Sequence, residues 1–238
     1  APLRGGGGAG GGRAPRGRRG GFFGPPPAPP ATAGAAPSAL PITSRPIREV
    51  VRQPRFVVAM LCGVVSYMLM NFMMTSAPLA MELCGLPREY SNYGIELHVV
   101  AMYLPSFFTG RLIARFGETP IVLAGLALTA AAALVGMSGQ TVAHFWWALA
   151  LLGVGWNFGF LGASAMVLQC HTPQEGPRVQ SINDFVVFGT MVIGSFASGS
   201  LLSAYGWSTV AALTLPPVVV AAAALLWIGR ARQGQPST

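Results

Sequence analysis

The sequence predicts an all-α integral membrane protein of six transmembrane helices arranged as two three-helix repeats, preceded by a disordered leader rich in glycine, proline, alanine and arginine. Three observations lead there. Hydrophobic residues make up 52% of the chain and charged residues 9%, whereas a soluble domain needs about 25% charged residues to cover its surface. Long uncharged runs follow one another from Phe56 to Gly229. The polar residues inside those runs recur in the first, second, fourth and fifth spans and are scarce in the third and sixth.

The leader covers residues 1–44, where twelve glycines, nine prolines and nine alanines cannot bury enough apolar area to offset the entropy of ordering the backbone. Its run Arg16–Phe23 resembles the RGG segments that bind RNA by charge and stacking. A single copy is outweighed by a plain basic extension or an arm on anionic lipid, so no nucleic-acid partner is expected. The first span is read at 56–81, 26 residues without a charge, where about 20 suffice to cross roughly 30 Å of hydrocarbon. The second, at 91–113, is the most polar. The third and fourth, at 120–137 and 142–169, share an uncharged stretch broken by Gly136–Thr141. The fifth and sixth, at 177–204 and 209–229, divide at Tyr205-Gly206-Trp207-Ser208, and Pro177 suits the first turn of the fifth. Residues 45–232 thus form the membrane unit and 233–238 a short tail. Continuous apolar runs, without a period of two, argue against a β-barrel.

The formal charge of +8 comes from fifteen arginines, five of them within the first nineteen residues, and the chain has no lysine. That excludes a Walker phosphate loop and Schiff-base or pyridoxal-phosphate chemistry, each of which needs an ε-amine. Three scattered cysteines, Cys62, Cys84 and Cys170, provide neither a disulfide framework nor a four-thiolate metal site. No cofactor or metal is expected. Nine arginines fall in the loops on one side and only Arg88 on the other, which places both termini in the cytoplasm.

Polar side chains at mid-depth are costly and usually face a bundle interior or a water-filled cavity. Asn71 lies near the middle of the first span with Thr75 one turn on, and Asn157 at the centre of the fourth; these read as solute contacts, or as ordinary interhelical hydrogen bonds. His98 lies twelve residues before Gly110, or about 18 Å along a helix. With Glu96 it is a candidate for proton relay or solute binding, against the alternatives of a histidine donating to a neighbouring backbone and a glutamate snorkelling outward. Asp184 sits about 10 Å into the fifth span, a depth that suits a gate. The small-residue pairs Gly155/Gly159 and Ser195/Gly199 read as close helix packing.

The segment Gly110-Arg-Leu-Ile-Ala-Arg-Phe-Gly-Glu-Thr-Pro120 resembles the signature loop of the major facilitator superfamily, G-x-L-A-D-R-x-G-R-R, at Gly110, Leu112, Arg115 and Gly117. Ala114 stands where that family has aspartate, and Glu118-Thr119 where it has a basic pair, as in the second copy of this loop. Arg45-Pro-Ile-Arg-Glu, Ser106-Phe-Phe-Thr-Gly110, Gly153-Val-Gly-Trp-Asn157 and Asn183-Asp-Phe extend the resemblance over about 45–230. It implies the carboxyl-terminal six-helix half of such a transporter, with Gly110, Arg115, Gly117 and Asp184 at a cytoplasmic gate. It also implies a missing amino-terminal half, or a second copy, as partner.

The expected function is therefore secondary active transport of a small solute by alternating access, present as one half or a fragment, in the bacterial inner membrane. Asn71, Thr75, His98 and Asn157 are the expected solute contacts, and Glu96 and His98 the candidates for any proton coupling. The chain is not expected to be an enzyme. The alternative is an intramembrane serine protease, from Gly162-Ala-Ser-Ala165 with His98 or His171 as base.

Overall fold

The computed structural model describes residues 45–233; the leader expected over 1–44, its arginine run, and residues 234–238 of the tail lie outside the described residues. The regular elements within them are all α-helices: α1 Ile47–Val51, α2 Pro54–Leu83, α3 Arg88–Tyr103, α4 Ser106–Phe116, α5 Glu118–Ser138, α6 Val142–Leu168, α7 Gly176–Ala212 and α8 Leu215–Gln233.

Five stretches among the described residues are long and apolar enough to cross a membrane: Pro54–Leu83, Arg88–Phe116, Glu118–Ser138, Val142–Leu168 and Gly176–Arg230. The last has 55 residues, about 82 Å at the helical rise and more than twice the roughly 30 Å of hydrocarbon. It is interrupted at Gly206, whose φ of 76° and ψ of 171° are open to glycine and not to a residue with a Cβ. The break falls inside the Tyr205–Ser208 interruption read from the sequence. Pro216 and Pro217 occupy the first turn of α8, where a missing N–H costs nothing, so they start that helix and do not bend it.

The helix ends follow from local chemistry. Pro54 occupies the first turn of α2. At its other end Leu86 N–H reaches Met81 O at 3.0 Å and Gly85 N–H reaches Glu82 O at 2.9 Å, a Schellman closure made possible by Gly85 at φ 71°. Between α3 and α4, Pro105 has no N–H to give to the preceding turn and the helix breaks.

The α6 helix is the packing centre, lying against α5, α2 and α3, while α2 also meets α7 and α8. Glycine makes this possible. A Cβ built on Gly125 of α5 would lie 2.3 Å from Gly159 N and 2.7 Å from Gly155 O, and one on Gly153 would lie 2.7 Å from His98 O of α3. Backbones therefore touch along α6, as the Gly155/Gly159 spacing suggested. The Ser195/Gly199 pair behaves differently: a Cβ on Gly199 would meet nothing within 4 Å, and Ser195 instead accepts a hydrogen bond from Asn71. The buried apolar residues form two clusters, one around Phe56, Val122 and Leu225 toward the α1 end, the other around Met81, Phe145 and Trp207 toward the Gly85 end.

At the α1 end the segment before α2 is clamped onto the α6–α7 loop. Arg45 donates from Nε to Glu175 Oε1 at 3.1 Å and from Nη2 to Oε2 at 3.0 Å, and Thr172 N–H adds a bond to Oε2 at 2.9 Å. The Arg45 guanidinium and then the Thr172 amide hold the Glu175 carboxyl down at about 2. A depressed carboxylate stabilises the fold fully above its ordinary value and loses that contribution as pH falls through its folded value. Glu175→Gln should thus lower Tm in detergent at neutral pH, and the gap to the parent should close as pH falls from 4.5 toward 2. A gap that is constant across this window would refute the clamp.

Candidate functional site

One stripe of α2 is left uncovered by its neighbours: Val64, Tyr67, Asn71, Thr75, Pro78 and Glu82 are all half-buried or exposed. Their spacing of three and four residues puts them on one face. Around Tyr67, near the middle of α2, five aromatic rings from four helices meet. Tyr67 lies edge-on to Trp156 at 5.6 Å, to Phe160 at 5.0 Å and to Phe188 at 5.4 Å. Trp156 stacks on Phe160 at 5.5 Å with 13° between their planes, and Tyr103 stands edge-on to Trp156 at 6.1 Å. These separations suit attractive ring geometry. Trp156 is buried, but Tyr103 is 58% and Phe188 44% exposed, so the cluster opens on one side. Its rings come from α2, α3, α6 and α7, which hold the first, second, fourth and fifth predicted spans.

Toward the Gly85 end the stripe continues into a cavity of about 520 Å³ lined by Thr75, Pro78, Glu82, Arg88, Ser91 and Asn92. That volume is within the range of small-molecule pockets, roughly 300–1,000 Å³.

The sequence-predicted site residues divide between this stripe and a buried seam. Asn71 Nδ2 donates to Ser195 Oγ of α7, and Thr75 Oγ1 donates to Asn71 O at 2.7 Å, so these two lie on the stripe. His98 is fully buried, with Nδ1 2.7 Å from Leu149 O of α6. Asn157 is fully buried too: its Nδ2 donates to Met102 O at 2.7 Å and Ser106 Oγ at 2.6 Å, and its Oδ1 accepts from Thr109 Oγ1 at 2.6 Å. Asn157 thereby ties the broken ends of α3 and α4 to α6. Glu96 is exposed on α3.

Of the gate residues, Gly110 is exposed and Gly117, at φ 84°, forms the turn between α4 and α5. Arg115 lies over the neighbouring Phe116 ring at 5.3 Å. Asp184 accepts from Gln180 Nε2 at 2.8 Å and Asn183 Nδ2 at 3.2 Å. The two ion pairs among the described residues are Arg45–Glu175 and Arg55–Glu118, so Arg115 and Asp184 are not joined in this conformation. No hydrogen bond among the described residues links Ser164 to His98 or His171, and no cluster of metal-ligating side chains occurs among them.

Sequence reasoning missed the ring cluster and the Glu175 clamp. The rings had a readable signal, since each stands near mid-span in one of the four spans already marked as polar. The clamp had less: one acidic residue in the loop after the fourth span, across from the arginines that precede the first.

Comparison with known proteins agrees with this architecture. The chain is 50% identical over 184 residues to the riboflavin transporter RfnT of Brucella anthropi, covering 77% of this chain and 46% of that protein. It is 32% identical over 165 residues to YddS and 28% identical over 165 residues to YdeG, both uncharacterized MFS-type transporters of Bacillus subtilis. Each match covers 66% of this chain and 38% of the relative. The chain thus spans less than half the length of the curated relatives it matches. These relatives are transporters and not enzymes, and the profile described as Major Facilitator Superfamily matches residues 59–238. With its apolar helices, glycine-packed α6 and G-x-L…R-x-G turn between α4 and α5, this multi-pass membrane chain belongs to the major facilitator superfamily.

Proposed function

We propose that the chain forms one half of a secondary active transporter that moves a flavin-type solute across the bacterial inner membrane by alternating access. The observation that carries this reading is the open five-ring cluster at the middle of α2 and α6. A flat tricyclic isoalloxazine presents two π-faces and a polar rim, and aromatic side chains hold such ring systems by stacking worth about 1–3 kcal/mol per base in nucleic-acid grooves. A relative 50% identical is named for riboflavin.

Reading Gly176–Arg230 as two crossings that meet at Gly206 gives six in all and returns both ends to one face. The arginine asymmetry assigns that face to the cytoplasm. The other wall of the path then comes from an amino-terminal six-helix half or from a second copy. Asn71 and Thr75 touch the solute directly from the stripe. His98 and Asn157 act through the seam that holds α3 and α4 on α6. Glu96 and His98 are the pair for proton coupling, and Gly110, Arg115, Gly117 and Asp184 serve the gate at the α1 end.

The test is uptake. A riboflavin-requiring bacterium without its own uptake system, given the complete gene that encodes this chain, should accumulate labelled riboflavin. Tyr103→Ala and Phe188→Ala remove the two exposed rings of the cluster, and each should cut uptake at limiting riboflavin roughly two- to tenfold at equal membrane abundance. Uptake no better than that of empty cells, or undiminished in the double variant, overturns the reading.

A further inference from the structure

Above the rings, the α2 stripe offers a short line of polar atoms with unused bonding capacity. Asn71 sits one helical turn from Tyr67, and Thr75 one turn further, so Tyr67 to Thr75 spans about 12 Å along the axis. Asn71 Nδ2 is engaged by Ser195 Oγ, but among the described residues Asn71 Oδ1 accepts nothing and the Ser195 hydroxyl proton is not donated. Thr75 has given its own proton to Asn71 O, which leaves its oxygen as an acceptor facing the 520 Å³ cavity. Around Asn71 there are therefore an acceptor, its Oδ1, a donor, the Ser195 hydroxyl of α7, and a second acceptor, Thr75 Oγ1. A chain of adjacent hydroxyls complements that set, because each hydroxyl both donates and accepts.

We infer that Asn71, Ser195 and Thr75 form a polyol subsite that holds the hydroxylated side chain of the solute while its ring system lies on the Tyr67–Trp156 cluster. This rests on the flavin reading above and assigns the two chemical parts of the molecule to two places. Sites built to hydrogen-bond a substrate hydroxyl discriminate strongly against analogues that lack it, because buried polar groups are then left without partners.

Riboflavin and lumiflavin separate the two parts, since they share the ring system and only riboflavin carries the ribityl chain. In cells producing the full protein, Asn71→Ala should raise the half-saturating concentration for labelled riboflavin roughly three- to tenfold. The lumiflavin concentration that halves uptake should not change, and that constancy also reports an intact ring site. Thr75→Val keeps the side-chain shape and removes one acceptor from an exposed position, so it should shift riboflavin in the same direction by a smaller factor even if the Asn71 variant fails to fold. Equal shifts for both flavins, or no shift for either in both variants, overturns the subsite. Absence of riboflavin uptake in the parent would instead remove the transport reading, and with it the subsite.

Discussion

Gly125→Leu should leave little folded protein. The Cβ alone would fall 2.3 Å from Gly159 N and 2.7 Å from both Gly155 O and the Gly159 Cα, and those atoms are helix backbone that cannot swing aside. Inserting extra methylenes into a tight core typically costs about 1–3 kcal/mol even where side chains can adjust. Here the α5 and α6 axes must separate, and the buried residues between them, such as Val122, Leu126 and Ala163, lose contact together. Thermal unfolding in detergent should show a large drop in Tm or no cooperative transition at all. Gly199→Leu, made on α7 where a Cβ meets nothing within 4 Å, is the matched control and should be close to neutral. Equal effects at the two sites would show that α5 and α6 do not meet backbone to backbone.

Asn157→Leu should be nearly as damaging, for a different reason. Leucine fills a similar volume but removes three hydrogen bonds at once, to Met102 O, Ser106 Oγ and Thr109 Oγ1. Hydrogen bonds between membrane helices average about 0.6 kcal/mol each, which covers the two hydroxyl bonds, and the Met102 carbonyl left without its partner costs about 1–3 kcal/mol, so a loss of about 2–4 kcal/mol is expected. The carbonyl at risk, Met102 O, lies at the break between α3 and α4, where no backbone N–H across the junction reaches it among the described residues. Unfolding in mixed micelles measures the stability, and uptake measures whether the seam is needed for transport. A variant with parental stability and transport would mean that Asn157 does not hold the broken helix.

The long-range pattern was legible in the sequence because the hydrocarbon imposes it. Charge-free runs marked the apolar helices, and the polar residues within them distinguished the four helices that build the ring cluster from α5 and α8. Gly206 was visible within an interruption, whereas the break at Pro105 lay inside a span read as one helix. What each polar side chain does was not legible. Asn71 and Asn157 look alike in sequence, both amides at mid-span, yet one lies on an open stripe and the other is sealed in a seam. Which of these occurs depends on the rotation of each helix about its axis, and packing against neighbours sets that. The near-zero amphipathicity of α6 gave no hint, since a helix apolar all round shows no preferred face. The rings were missed for a related reason: an aromatic residue in a membrane helix fits lipid as well as a site.

At Gly125, Gly153, Gly155 and Gly159 the backbones of α3, α5 and α6 meet directly, with no flexible side chain at the point of contact to be squeezed or slid past. Such a contact has almost no compliance, so a tilt imposed on one of these rods is passed to its neighbours undiminished. In the alternating access proposed above, α3, α5 and α6 would then move together, and the bending would fall to the places with slack, the Pro105 fracture and the Gly206 joint.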